Sequence, residues 1–577
     1  MPRFGLHRFL PALQWLREYP RDSFADDLTA GIITAVLLIP QGMAYAILAG
    51  LPAEVGLYAS IVPPIVYALF GTSRALSVGP VSVAALLVAS TLGATGLTPD
   101  DPAYLQAALL LAALSGAILL IMALLRLGML VNFLSHPVLS GFTTGAAILI
   151  IISQIQNLTG VPLPSAGSSL DMLAHAWRHG SEFHLLTAVM GLASILILLW
   201  LRGPFPRLLV HLGLSERAAV LISRAGPLAL VAGATILVWA LSLQQQGVAI
   251  VGSIPSGLPA PTLSFLDAQR AIDLLPAAVM ISLIGYVESV SVAKVLAHRR
   301  RQKIDPNREL SALGFSNLAA AFSGSMPVAG GFSRSMVNFS AGARTQLAAI
   351  ITALLVAVAA FLFTPLFHHL PKTALAAIII VAVVPLIDWR TAVNTYRYDR
   401  SEALALLATV AGVLVLDIEQ GLLIGLAVSI GVFLWRSSRP HTAIVGRVPG
   451  TQHFRNVQRH QVETWPELLL LRVDRSLYFA NVSHVEDTVA EAVAQQPGLR
   501  HLVLICSAVN TIDHSALEAL EQLAESLKEA GVTVHLAEVK GPVMDRLRQT
   551  RLFEHLEPGQ VFLSTEEAVA KLTSRET

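Results

Sequence analysis

A short cluster of chemically active residues, Gly330-Gly331-Phe332-Ser333-Arg334-Ser335, interrupts a long apolar stretch of this sequence. Its glycines allow close approach of the backbone, and its serine hydroxyls donate hydrogen bonds. Arg334 adds a planar fork of cationic donors, so the cluster suits an anion. The alternative for Arg334 is a purely structural role, in which its side chain snorkels or pairs with a carboxylate. Because a charge in an apolar segment is costly, we favour a functional role, which includes tuning the field of a site.

Glu288 occupies a similar position within the apolar stretch 283–291. It is the only acidic residue that the sequence places deep inside such a segment. A carboxylate in those surroundings must be neutral or paired. Glu288 is therefore either a proton carrier or a permanent partner of Arg334 or Lys294, and the sequence leaves both roles open.

Gln41 and Tyr45 stand one turn apart in Pro40-Gln41-Gly42-Met43-Ala44-Tyr45, so a helix places them on one side. There both side chains can donate hydrogen bonds to a ligand. The alternative is that Gln41 makes a hydrogen bond between helices, which requires no ligand.

The elements that hold these residues belong to a membrane protein with a soluble tail. Only 13% of the 577 residues are charged, about half the share of a typical soluble domain. Residues 441–577, in contrast, have an ordinary soluble composition. The 39 Lys and Arg nearly balance the 38 Asp and Glu, which argues against a nucleic-acid partner. The single cysteine, Cys506, excludes an intramolecular disulfide, and without Cys/His metal spacing we predict no metal or cofactor.

Fourteen apolar segments can be placed along the membrane part as helices. The two that begin near residues 79 and 331 are too short to cross a hydrocarbon core of ~30 Å alone. The segments lie near 28–48, 51–70, 79–93, 103–125, 137–157, 183–201, 226–242, 274–296, 310–322, 332–342, 345–363, 372–387, 402–416 and 419–435.

Lys and Arg residues concentrate in every second connection between these segments. The connections after even-numbered segments hold most of them, whereas those after odd-numbered segments hold only Arg178, Arg270 and Lys372. The positive-inside rule then places both termini in the cytoplasm. No cleaved signal peptide is predicted at the N-terminus.

The two short segments occupy equivalent places, third in each half of seven, and each follows a Gly- and Pro-marked extended stretch, 75–80 or 326–331. This pattern indicates inverted repeats with a binding site near the middle of the membrane. Half-helices whose N-termini face each other present unpaired N–H groups and two positive dipole ends. We therefore expect an anion site between the third and tenth segments.

Four motifs are spread along the membrane part: Asp27-Leu28-Thr29-Ala30-Gly31, Pro40-Gln41-Gly42-Met43-Ala44-Tyr45, Gly71-Thr72-Ser73-Arg74 with Val78-Gly79-Pro80, and Gly331-Phe332-Ser333-Arg334-Ser335. Together they resemble the SulP family of anion transporters, relatives of sulfate permeases and of animal prestin. The stretch 332–343 looks most like the sulfate permease branch.

This resemblance implies an all-α polytopic membrane domain of the uracil-permease type, with core and gate domains and repeats near 25–243 and 271–436. It also implies a homodimer, which we expect in a bacterial inner membrane. The anion would lie between the third and tenth segments and be closed off by the first and eighth. Carried onto this chain, the substrate-binding positions are Gln41, Tyr45, Val81, Ser333 and Arg334, with Glu288 in the eighth segment.

The tail changes to strands near 468–473, 501–506 and 532–537, which alternate with helices near 483–496, 514–530 and 543–553. Such alternation predicts a small α/β layer domain. Its turn Asn510-Thr511-Ile512-Asp513-His514-Ser515-Ala516-Leu517 resembles that of a STAS domain. In related soluble regulators the serine that matches Ser515 is phosphorylated, whereas here Asp513 or Ser515 can instead act only as a helix cap. The predicted limits are 1–24 for a cytoplasmic segment, 25–436 for transport and 437–577 for STAS.

Energetics constrain how such a protein would work. Moving one negative charge inward against 100 mV costs ~2.3 kcal/mol, so a sulfate dianion faces roughly 4.6 kcal/mol. Uptake must then be driven by cations, and we predict symport of sulfate with two or three protons, with Glu288 in the relay. Bicarbonate, chloride or a dicarboxylate remain alternative substrates.

Other functions fit the sequence less well. A nucleobase permease of the same fold predicts acidic recognition residues in both the eighth and tenth segments, and the tenth here supplies Ser333 and Arg334. A membrane-tethered STAS regulator would not need the polar residues of both half-helices. No catalytic triad, metal cluster or phosphate loop is found, so we do not expect an enzyme. The sequence does not distinguish a carrier from a channel-like anion leak.

Overall fold

The chain divides into two compact units, Met1–Ser429 and Ile430–Thr577. The structure is a computed structural model. It describes residues 12–17, 19–129, 135–163, 169–255, 257–416 and 418–573. Of the predicted N-terminal segment 1–24, residues 1–11 and 18 lie outside these ranges.

Helices occur at all fourteen predicted segments of the membrane part, which confirms the predicted helical architecture. Within the described residues, eight helices are long and apolar enough to cross a membrane, and three further apolar helices are shorter. Numbered α1 to α14 in chain order, with α2 in two pieces, the helices are Phe24–Leu48, Ala53–Tyr58 and Val62–Phe70, Ser82–Ala94, Pro102–Leu124, His136–Ser153, Leu185–Arg202, Gly226–Ala240, Ala268–Arg299, Pro306–Phe322, Phe332–Ser340, Leu347–Leu362, Lys372–Val383, Arg400–Val415 and Ile418–Ser438.

Shorter helices lie in the connections of this unit and before α1. Several are amphipathic by sequence, as expected for segments at a membrane surface. They span Ala12–Arg17, Ile155–Thr159, Ser169–Arg178, Pro204–His211, Glu216–Arg224 and Trp389–Tyr398.

The third and tenth segments are broken, as the sequence predicts. Helix α3 has 13 residues and α10 has nine. At 1.5 Å per residue they reach about 20 Å and about 14 Å, less than the ~30 Å of the hydrocarbon core. Each is preceded by a two-residue strand, β1 (Val78–Gly79) or β2 (Ala329–Gly330), so the membrane unit is not purely helical.

Strands β1 and β2 pair with each other in antiparallel register, Val78 with Gly330 and Gly79 with Ala329. Because the strands are antiparallel, the helices that follow run in opposite directions from a shared starting place. All four strand residues are buried. We call this pair of strands, Val78–Gly79 with Ala329–Gly330, the crossing. It brings the N-termini of α3 and α10 together, as two facing half-helices require.

Polar side chains satisfy the non-helical backbone around this crossing, as a membrane interior requires. The Ser289 hydroxyl of α8 accepts from the Gly330 N–H at 2.7 Å, and the Ser335 hydroxyl accepts from the Ser77 N–H at 2.9 Å. Asn317 of α9 bonds both the N–H and the carbonyl of Val328, each at 2.9 Å. These side chains hold the two strands in place.

The helices sort into two packed groups around the crossing. In the first group, α4 packs against α8 and α9, and α1 against α11. In the second, α5 packs against α13, and α6 against α12. Helix α1 also contacts α12 and α7, so it lies between the groups. At its contact with α2, a Cβ at Gly56 would lie only 2.0 Å from the Gly42 carbonyl oxygen, so glycine permits this approach.

The second unit contains a six-stranded sheet covered by helices. Its spatial order is β4 (Phe454–Asn456), β3 (Thr442–Arg447), β5 (Leu468–Val473), β6 (His501–Ile505), β7 (Thr533–Ala537) and β8 (Val561–Phe562). Strands β5 to β8 are parallel, whereas β3 pairs antiparallel with β4 and β5.

The helices of this unit are Val482–Gln495, His514–Glu529, Gly541–Leu547, Leu552–Leu556 and Thr565–Thr573. The single helix predicted near 543–553 is instead two short helices. Between them the Thr550 hydroxyl accepts from the Leu552 N–H at 3.4 Å, a local bond that competes with helix continuation.

Candidate functional site

Arg334 lies at the crossing of the two broken segments. Its side chain is 1% exposed, and Nη1 donates to the carbonyl oxygen of Pro80, two residues before α3. The other two guanidinium nitrogens, Nε and Nη2, are buried and have no hydrogen-bond partner among the described residues. A buried cation with two free donors is costly unless a ligand satisfies it.

Two glycines make room for this guanidinium. A Cβ at Gly331 would lie 3.0 Å from Nη2 of Arg334, and one at Gly79 would lie 3.4 Å from the same atom. Gly331 is the N-cap of α10, and Gly79 ends β1. The cationic fork thus lies beside both half-helix starts, where the positive dipole ends add to its field.

Val81 is the N-cap residue of α3 and has an extended backbone. Neither Val81 nor Gly331 has a side chain that can accept a hydrogen bond, so neither can cap its helix. The first N–H groups of α3 and α10 therefore keep their donor capacity for a ligand. Val81 itself is buried and packs with Ala84 and Ala329.

Gln41 and Tyr45 face the same place from α1. Both are buried, and the Gln41 amide nitrogen donates to the Tyr45 hydroxyl at 2.8 Å. The structure thus shows a bond within one helix rather than between helices. Gln41 Oε1 has no partner among the described residues.

A cavity of about 640 Å³ reaches Gln41 and Ser333. Its wall is formed by α1, α10, α12 and the ends of α6 and α7, so it lies between the two helix groups. Ser333 is half-buried in its lining, while Arg334 lies behind it without reaching the surface. An anion in this cavity would meet the lining groups, Gln41, Ser333 and the Arg202 guanidinium, before the buried guanidinium of Arg334.

Glu288 is on α8, next to the Ser289 that holds Gly330. It forms no hydrogen bond or ion pair within the described part of the chain, although it lies within electrostatic range of Arg334. A tight permanent ion pair between Glu288 and Arg334 is therefore not present.

Glu309 of α9 is a residue that the sequence reasoning missed. It is 0% exposed although it lies just before the predicted segment 310–322, in the first turn of the helix. Its carboxylate accepts from Tyr67 Oη at 2.7 Å, Thr72 N at 2.8 Å, Thr72 Oγ1 at 2.5 Å and Ser73 N at 3.2 Å. Glu309 thereby anchors the connection that leads into β1. The signal for its role is its contact with the loop Gly71-Thr72-Ser73. Because that loop lies 237 positions away at Thr72, no local sequence pattern shows the contact.

Ser515 lies in the first turn of the helix His514–Glu529 and is exposed. The cap is Asp513, which accepts from Ala516 N at 2.8 Å and from Phe479 N at 2.9 Å. Capping therefore accounts for Asp513 and not for Ser515, whose phosphorylation stays a prediction.

Known proteins resemble this chain over nearly its whole length. Residues 24–409 match the profile of the sulfate permease family, and residues 459–568 match that of the STAS domain. The "Probable sulfate transporter 3.4" of Arabidopsis thaliana is 33% identical over 99% of this chain and 88% of its own length. The chain belongs to the sulfate permease family.

A second relative, "Sulfate transporter 4.1, chloroplastic" of Arabidopsis thaliana, is 34% identical over 97% of this chain and 82% of its own length. Among solved structures, the murine Slc26a9 anion transporter in the inward-facing state has a TM-score of 0.87 at 22% identity, with 100% of this chain and 96% of that chain covered. That likeness shows the fold. The resemblance predicted from the motifs is confirmed, and the chain is a multi-pass membrane protein with a STAS domain.

Proposed function

We propose that this member of the sulfate permease family takes up sulfate by proton symport, through alternating access. The observation that carries the proposal is the antiparallel crossing of β1 and β2, which places two uncapped half-helix starts beside Arg334. Gln41, Tyr45, Val81, Ser333 and Arg334 form the proposed anion site.

The role that we propose for each of these groups follows from its position. Neutral donors of Gln41 and Ser333 line the cavity, so they would receive the anion, and the buried guanidinium of Arg334 would attract it into the crossing. Glu288, which has no fixed partner among the described residues, would take up and release the coupled proton. Helices α3 and α10 both contact α8 of the first helix group. Movement of that group past the second group would expose the site to each side in turn.

We also propose that both termini are cytoplasmic, because Lys and Arg concentrate in the connections on that side. Three further points stay predictions: the domain limits at 25–436 and 437–577, assembly as a homodimer, and location in a bacterial inner membrane. Transport, rather than catalysis, is the activity that we expect.

The test is uptake of radiolabelled sulfate into proteoliposomes with and without an inward proton gradient, competed by bicarbonate, chloride and dicarboxylates. We expect the gradient to accelerate sulfate accumulation and competition by the other anions to be weak. Strong competition by bicarbonate, chloride or a dicarboxylate would assign that anion instead, and accumulation that ignores the gradient would remove proton symport.

Glu288→Gln separates binding from coupling in the same assay. We expect the variant to keep sulfate exchange between the two sides and to lose acceleration by the proton gradient, because an amide cannot carry the proton. The matched control is Asp273→Asn, an exposed acidic position on the same helix, which should behave as wild type. Full proton-driven uptake by Glu288→Gln would overturn the relay.

A further inference from the structure

A second cavity, of about 480 Å³, lies at the C-terminal end of α1, beyond the candidate site. Leu37 and Gln41 line the first cavity, whereas Ile47 and Leu48 line the second. Between them stand residues 42–46, all of them buried. At 1.5 Å per residue, the six steps from Gln41 to Ile47 separate the two cavities by about 9 Å along the helix.

Helix α12 also connects the two cavities. Its first residue, Lys372, lines the second cavity, and Ile378, Val381 and Ala382 line the first. The C-terminal part of α3 and the end of α5 complete the wall of the second cavity. The two cavities therefore lie along one route between the helix groups, interrupted at the level of Tyr45.

Lys372 is the only charged side chain among the described residues that line the second cavity. It is half-buried and makes no ion pair or side-chain hydrogen bond within the described part of the chain. The other polar lining groups are neutral hydroxyls and amides, namely Ser90, Tyr104, Ser153, Gln154, Gln156 and Asn157. An unpaired ammonium with neutral donors around it favours an anion.

The other two cations of the same side differ from Lys372. Arg270 lies 3.9 Å from Asp267 in an exposed ion pair, and Arg178 is exposed at the end of Ser169–Arg178. Neither lines the cavity. Of the three cations on this side, Lys372 is thus the one that lines the route, whose first cavity is lined by Arg202.

We propose that the second cavity is an outer anion-binding vestibule, in which Lys372 holds an inorganic anion before it passes to the site at Gln41. The inference rests on the proposed transport function and on the sidedness given by the positive-inside rule. It adds a binding site for the same chemical class of ligand, an inorganic anion, on the outer half of the route.

The experiment measures initial rates of radiolabelled sulfate transport by the full chain in right-side-out and inverted membrane vesicles. Lys372→Gln should raise KM for sulfate presented from the Lys372 side, with the maximal rate unchanged. One cation at contact in a water-filled cavity changes the occupancy of a monovalent anion about fivefold, and that of a dianion correspondingly more. The effect should shrink as ionic strength rises.

Three further arms distinguish a vestibule from a structural role. Lys372→Arg should restore the wild-type KM, Lys372→Glu should raise KM further, and Arg270→Gln should leave it unchanged. For sulfate presented from the opposite side, none of the variants should change KM. An unchanged KM in Lys372→Gln, or an equal rise from both sides, would overturn the vestibule.

The failure of this inference can be told apart from failure of the proposed function. If the wild-type protein carries chloride instead of sulfate, the sulfate proposal fails, and the same sided comparison is made with radiolabelled chloride. A sided KM effect with chloride would still support the vestibule, whereas its absence would refute it.

Discussion

Removal of the Arg334 guanidinium should abolish high-affinity anion binding. In Arg334→Gln the cation and the two unpartnered donors, Nε and Nη2, are lost together. A hydrogen bond to a charged group contributes about 1.5–3 kcal/mol. If a bound anion satisfies both donors, the loss is roughly 3–6 kcal/mol, or about 10²- to 10⁴-fold in affinity.

The assay is equilibrium binding of radiolabelled sulfate to purified protein, which does not depend on turnover. Arg334→Lys keeps the charge but not the fork, so its affinity shows how much of the loss belongs to the field alone. Arg344→Gln is the control, because Arg344 is an exposed arginine paired with Asp26 at 2.7 Å. Thermal unfolding of each variant reports whether it is folded. A folded Arg334→Gln that binds sulfate within about fivefold of wild type would refute the reasoning.

Three other outcomes are expected. Glu309→Ala leaves the donors of Tyr67, Thr72 and Ser73 without their acceptor, so thermal unfolding in detergent should show a loss of roughly 3 kcal/mol or more, whereas Glu309→Gln should retain most of the stability. Gly56→Ala should lower the unfolding temperature and sulfate binding by forcing α1 away from α2, while Gly431→Ala, with open space at its Cβ, should lower neither. Burial lowers the pKa of His535 in the STAS domain to about 4, below its usual 6.5. Acidification from pH 7 to 5 should therefore destabilise that domain by roughly 2 kcal/mol, which faster thiol labelling of buried Cys506 would report. The variant His535→Gln should remove this pH dependence.

The fold class and the positions of the helices can be predicted from the amino-acid sequence alone. A helix in a membrane satisfies its own backbone hydrogen bonds, so it needs only a long apolar stretch of sequence. Such stretches can be recognised from the sequence alone. The broken segments were also visible, since Gly and Pro mark the extended residues before α3 and α10. Gln41 and Tyr45 could be placed on one face from the helical period alone, and the structure joins them by a hydrogen bond.

Which of these groups come into contact depends on how the whole chain packs. The pairing of Val78 with Gly330 joins residues more than two hundred positions apart, and no local pattern encodes that contact. The same is true of Glu309 with Thr72, and of the place of Lys372 on a route that also passes Gln41. A local period reports which side of an element is apolar, whereas the partner on the other side is chosen by packing of the whole chain.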